Sequence, residues 1–319
     1  MKLVTFKADA ASEPSVGVLV DGRVLDLQAA GGGAPPYFRS MQTLIEGGEQ
    51  ALDLARDLAV RREPQHSLPK VTLLSPLPLP PQIRDCMGFE QHLINAYGVM
   101  RKRAAAKHDD PETALAEFEA KGLFQIPDVW YKQPVYYKAN RFSVIGTEAD
   151  VRWPSYCQLL DFELEFAAVI GMSGCDVAKQ DAHNHIFGYT IFNDISARDA
   201  QGVEMQGSLG PAKGKDFDTG NILGPCIVTS DAIDPYDLAM KARVNGEEWS
   251  NGHSSTMYWR FDDLIAHISS SETLHPGEII GSGTVGGGCG LELERYLKPN
   301  DVVELEVEHI GVLRNRVVQ

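Results

Sequence analysis

The chain has 319 residues, 43% of them hydrophobic and 23% charged, with 29 basic against 44 acidic side chains and a formal net charge of −15. That composition belongs to a folded globular protein with room for a large core, and it excludes wholesale disorder. The acidic balance disfavours nonspecific binding to nucleic acid or anionic membrane, though not a small anionic substrate met by a metal and a few placed cations. Five scattered cysteines (Cys86, Cys157, Cys175, Cys226 and Cys289) contain no C-x-x-C pair, which argues against a disulfide framework or zinc site and for a reducing, cytoplasmic setting.

In chain order, residues 1–75 read as a small α+β N-terminal domain. Met1 to Phe6 opens like a strand and lacks the layout of a signal peptide, and no apolar run reaches membrane-spanning length. Residues 16–27 form a hairpin about an Asp21-Gly22 turn. Residues 41–60 have helical spacing, weakened by Gly47-Gly48. The proline-rich stretch 75–81 can only be extended and marks a domain boundary, with residues 76–319 as the second domain. Residues 98–130, polar and with a helix over Glu112 to Lys121, predict a helical cover. From about 132 onward, short strands between Gly, Pro, Asn and Asp signals predict a mainly β domain, a mixed roll or barrel.

The most informative stretch runs from Asp161 to Asp194. Phe162, Leu164, Phe166, Ala168 and Ile170 alternate with Asp161, Glu163, Glu165, Ala167 and Val169, the pattern of a strand. Residues two apart on a strand point the same way, so Glu163 and Glu165 stand side by side. Two such carboxylates in a buried strand resist ionisation unless a cation lies between them. A second apolar strand ends at Asn193-Asp194 and can add a third carboxylate for a hard divalent ion. The plain alternative is a strand with its acidic face in water. Two further patterns carry little. Gly281 to Gly286 satisfies G-x-G-x-x-G but no helix follows it, and His183 and His185 face different ways.

Residues 185–201, HIFGYTIFNDISARDAQ, with the E-x-E strand upstream, resemble the signature of the fumarylacetoacetate hydrolase family. Val244-Asn245-Gly246-Glu247, Thr273 to Glu278, Gly281 to Thr284 and Gly311 to Asn315 extend the resemblance from about residue 80 to the C-terminal end. It implies that Glu163, Glu165 and Asp194 are metal ligands, with Mg²⁺ as the expected ion and Mn²⁺ or Ca²⁺ as substitutes. Asp85 followed seven residues later by His92 matches the C–C hydrolase that names the family, which implies Asp85 as fourth ligand and His92 as general base. The same resemblance implies Glu292 as the acid of a dyad with His92, and Arg198, Gln201 and Lys215 as oxyanion donors, Lys213 being the fallback lysine. Arg101, Tyr137 and Thr284 become substrate contacts. Met87 and Met205 stand where the naming enzyme has tyrosines, which implies a pocket with fewer hydroxyl donors.

The expected reaction is metal-dependent hydrolysis of a C–C bond in a β-diketo acid such as an acylpyruvate, by a homodimer. A metal-held 1,3-dicarbonyl leaves as an enolate while His92 activates water near neutral pH. One rival keeps the site and changes the reaction to decarboxylation, isomerisation or hydration of a 2-oxo acid. The other is a catalytically silent member whose carboxylates hold an ion structurally, which metal stripping would reveal as a melting shift without activity.

Overall fold

In the computed structural model, which describes residues 1–32 and 36–319, two sheets carry the architecture. The larger has twelve strands among the described residues. It runs from His66–Ser67 through Arg23–Asp26, Ser15–Val20, Lys2–Lys7, Asn221–Thr229, Ile186–Asp194, Glu165–Ile170, Ile279–Gly281 and Ile83–Cys86 to Tyr136–Ala139. Neighbours along that order are antiparallel except Ile279–Gly281 beside Ile83–Cys86. The smaller sheet orders Glu247–His253, Ala239–Val244, Val302–Val307, Gly311–Val318 and Asp150–Arg152. This is the mainly β fold with α+β parts that the sequence predicts.

Burial follows the pattern of each strand. Ala239–Val244 and Val302–Val307 alternate buried and half-buried residues, so their sheet has one core face. Glu165–Ile170 and Ile186–Asp194 are buried at every position because the large sheet is covered on both sides. One apolar cluster joins Phe162, Phe166 and Ile191 to Leu305 and Leu313 of the smaller sheet. A second puts Ala167, Val169 and Phe187 under Phe38, Leu44 and Leu52 of the N-terminal region.

That N-terminal region keeps its α+β make-up. Asp21 and Gly22 take the positive φ values, 48° and 72°, that the tight hairpin turn needs. The helical stretch is split at the glycine pair into Met41–Glu46 and Gly48–Arg61, with Gly48 at φ +54°. Yet residues 1–75 do not form a sheet of their own. Leu3 pairs with Ile227, so the first strand extends the large sheet, and the proline-rich segment at 75–81 separates sequence elements rather than sheets.

The stretch 98–130 holds the last part of the helix Glu90–Ala105 and all of Pro111–Ala120, the second capped by Asp110. It ends at Trp130, which is buried and donates its indole N–H to the Met87 carbonyl at 2.8 Å. Among the described residues no helix is long and apolar enough to cross a membrane.

Candidate active site

Three strands of the large sheet deliver the acidic cluster, two of them adjacent and the third one strand further along, beyond Ile279–Gly281. Asp85 comes from Ile83–Cys86, Glu165 begins its own strand with Glu163 just before it, and Asp194 ends Ile186–Asp194. All four carboxyls are buried, so the acidic face does not lie in water. One oxygen from each of Asp85, Glu163 and Glu165 lies within 4.8 Å of the others. Asp194 joins through Lys215, whose Nζ is 2.5 Å from both Glu163 Oε2 and Asp194 Oδ2. Lys215 is buried and Lys213 exposed, so Lys215 is the lysine that reaches the cluster.

Burial and mutual repulsion set the charge states. Burial, reinforced by Asp194, pushes Asp85 well above the ordinary carboxylate range, and burial with Asp85 and Glu163 does the same to Glu165. Asp194 is raised to about 6, chiefly by burial against the pull of Lys215. Glu163 goes the other way: burial would raise it, but Lys215, Arg198 and His92 outweigh burial and hold it low. Two carboxylate oxygens, Asp85 Oδ1 and Asp194 Oδ1, are buried without a hydrogen-bond partner among the described residues. An all-oxygen cluster that is short of positive charge and has orphaned acceptors fits a hard divalent ion.

Several of the expected donors and substrate contacts hydrogen-bond these carboxylates. Arg198 Nε is 2.7 Å from Asp161, Nη2 is 2.8 Å from Glu163 and Nη1 is 3.0 Å from Gln201 Oε1. Every nitrogen of Arg198 is therefore engaged, and Lys215 is likewise held by carboxylates. Both serve as counter-cations to the carboxylates, Arg198 retaining a further N–H on each of Nη1 and Nη2, while Gln201 Nε2 has no protein partner among the described residues. The Tyr137 hydroxyl donates to Asp194 at 2.6 Å. Thr284 Oγ1 donates to Glu165 at 3.2 Å, beside the Gly283 N–H at 3.1 Å. Arg101 sits on the helix Glu90–Ala105 with its Nε 3.8 Å from Glu119, paired across the two helices and not with the cluster.

His92 and Glu292 do meet. His92 Nδ1 is 2.6 Å from Glu292 Oε1, although the two residues are 200 apart in sequence. Glu292 also accepts from Asn95 Nδ2 and from the Gly287 N–H, both at 2.7 Å. Asn95 lies three residues after His92 on one helix, and that spacing is the signal by which it could have been found.

Asp161 was legible as an acid on the E-x-E face but not as an anchor. Its carboxylate accepts from Gly290 N at 2.7 Å, Leu291 N at 2.9 Å and Arg198 Nε at 2.7 Å. It thereby ties the start of the short helix Gly290–Leu293, which carries Glu292, to the arginine that holds Glu163.

A two-sheet fold with a buried carboxylate cluster for a divalent ion and a His–Glu pair beside it defines a class of metal-centred enzyme. The family model described as fumarylacetoacetate hydrolase C-terminal matches residues 112–318, and the chain belongs to the fumarylacetoacetate hydrolase family. A mitochondrial oxaloacetate tautomerase of Rattus norvegicus is 32% identical over 322 residues, covering 100% of this chain and 92% of that protein. Among solved structures, a fumarylacetoacetate hydrolase from psychrophilic Exiguobacterium antarcticum aligns with a TM-score of 0.72 and 26% identity, covering 100% of this chain and 99% of that one. A maleylpyruvate hydrolase from Sphingobium sp. SYK-6, in complex with manganese(II) and pyruvate, shares the fold with a TM-score of 0.73 at 23% identity, covering 100% and 99%.

Proposed function

We propose that the protein hydrolyses a C–C bond in a β-diketo acid of the acylpyruvate type. The observation that carries this reading is the His92–Glu292 pair beside the buried carboxylates. Glu292 fixes Nδ1 of the imidazole and leaves Nε2 as the proton-accepting atom, the arrangement a water-activating base requires. Asp85, Glu163, Glu165 and Asp194 hold a divalent ion, Mg²⁺ or Mn²⁺, which when bound polarises the oxygens of the 2-oxo acid and offsets charge developing there. His92 takes a proton from water as its oxygen attacks the distal carbonyl. The Gln201 amide is a donor free to meet the resulting oxyanion. When the C–C bond breaks, its electron pair stays with the 2-oxo acid fragment, and His92 returns the proton.

A second reading is favoured by the full-length relative named an oxaloacetate tautomerase. Moving a proton between carbon and enol oxygen needs the polarised 2-oxo acid and a base, but neither a water nucleophile nor an oxyanion donor. Gln201→Leu separates the two. Hydrolysis of an acylpyruvate should fall by at least tenfold, whereas enol–keto conversion of oxaloacetate should change little. A variant that keeps full hydrolysis removes Gln201 from the mechanism.

A further inference from the structure

Next to the carboxylate cluster lies a donor set of different chemistry. Glu292 Oε1 is 2.6 Å from His92 Nδ1 and 3.3 Å from Cys289 Sγ. One donor atom from each of the three residues lies within 4.8 Å of the others. The remaining oxygen, Oε2, is fixed by Asn95 Nδ2 and the Gly287 N–H. The carboxylate is thus oriented through its far oxygen while its near oxygen faces a nitrogen and a sulfur. Metal ligands are supported by outer-shell bonds of this kind.

Four carboxylates suit a hard ion. Nitrogen, sulfur and a single oxygen suit a borderline-soft one, which they approach at about 2.0–2.3 Å. We propose that His92, Cys289 and Glu292 form a second metal site, for Zn²⁺ or another thiophilic divalent cation, separate from the all-oxygen centre. The absence of C-x-x-C spacing does not bear on it, because Cys289 and Glu292 stand three residues apart and His92 joins them from a distant part of the chain. On binding, Cys289 gives up its proton to solvent, and the imidazole moves its proton from Nδ1 to Nε2 as Nδ1 exchanges its bond to Glu292 for one to the ion. An ion seated here occupies the base and silences the dyad, so thiophilic metals inhibit while Mg²⁺ sustains activity. That consequence rests on the proposed function, whereas the site itself does not.

The test uses Co²⁺ as a spectroscopic stand-in for Zn²⁺, titrated into protein kept in excess Mg²⁺. The expected result is an intense near-ultraviolet sulfur-to-cobalt charge-transfer band that Zn²⁺ bleaches. It should vanish in Cys289→Ser and persist in Cys175→Ser, which removes the exposed thiol. Cys289 is fully buried, so His92→Ala, at a partly exposed position, supplies a variant that does not depend on core packing. It should raise the Co²⁺ concentration for half-maximal signal at least tenfold. No band in the wild type, a band that survives Cys289→Ser, or a titration unmoved by His92→Ala overturns the site.

Discussion

Glu165→Gln tests the metal centre without removing its shape. Glu165 is fully buried and accepts from Gly283 N at 3.1 Å and Thr284 Oγ1 at 3.2 Å. A glutamine can accept from Gly283 through its oxygen and donate to the Thr284 hydroxyl and toward Asp85 through its amide. The variant therefore loses a charge that the metal-free protein already resists, and its metal-free melting temperature should be no lower than that of the wild type. The loss appears only with the ion. A ligand that binds the folded state alone at one hundred times its Kd adds about 2.7 kcal/mol. At about 2.1 cal/mol/K per residue, unfolding 319 residues carries an entropy of roughly 0.67 kcal/mol/K, so the wild type should melt about 4 °C higher with saturating Mg²⁺ than with chelator. In Glu165→Gln that difference should shrink to within about 1 °C at the same Mg²⁺ concentration, as measured by calorimetry at one scan rate. A variant that keeps the full shift would show that the ion binds elsewhere.

Further expectations follow from the same geometry. Asp85, Glu165 and Asp194 have folded pKa values above their unfolded ones, so below about pH 4 both states hold the protons and no difference arises. As pH rises the unfolded chain ionises first. Metal-free stability should therefore fall between about pH 4 and 6, where Asp194 ionises in the fold, and urea melts with chelator across that range would show it. Because an ion must displace those protons, apparent Mg²⁺ affinity should rise over the same range, and a pH-independent affinity would contradict this. At Gly281 an added Cβ would lie 2.3 Å from Asp85 Oδ1, so Gly281→Ala should cost about 1–3 kcal/mol and weaken Mg²⁺ binding in a calorimetric titration. Asp161→Asn breaks a buried ion pair, a loss of roughly 3–5 kcal/mol or about 4–7 °C. It should also lower turnover, since Arg198 and the Glu292 helix lose their common anchor; unchanged turnover would make Asp161 purely structural.

Local chemistry was legible in the sequence. Asp21-Gly22 announced its turn, Gly47-Gly48 its break, and the spacing of Glu163, Glu165 and Asp194 their meeting on neighbouring strands. The resemblance supplied Asp85, His92 and Glu292. What remained hidden depends on contacts between distant segments. The pairing of Lys2–Lys7 with Asn221–Thr229 spans most of the chain, and no local pattern encodes its register. Arg198 read as a free donor because a sequence does not show that Asp161 and Glu163 both claim it. Asp161 stood in plain view on the acidic face, but its partners Gly290 and Leu291 are brought to it only by folding.

The central claim is that His92, held by Glu292 beside a carboxylate metal centre, activates water for C–C cleavage. Its most direct test is the enol absorbance of a small acylpyruvate panel, followed with Mg²⁺, with Mn²⁺ and with excess chelator, in wild type and His92→Ala. The account predicts metal-dependent loss of absorbance that yields pyruvate plus a carboxylic acid, and its collapse in His92→Ala. Unchanged acylpyruvate under every metal, together with rapid enol–keto conversion of oxaloacetate, would contradict it and establish the tautomerase reading in its place.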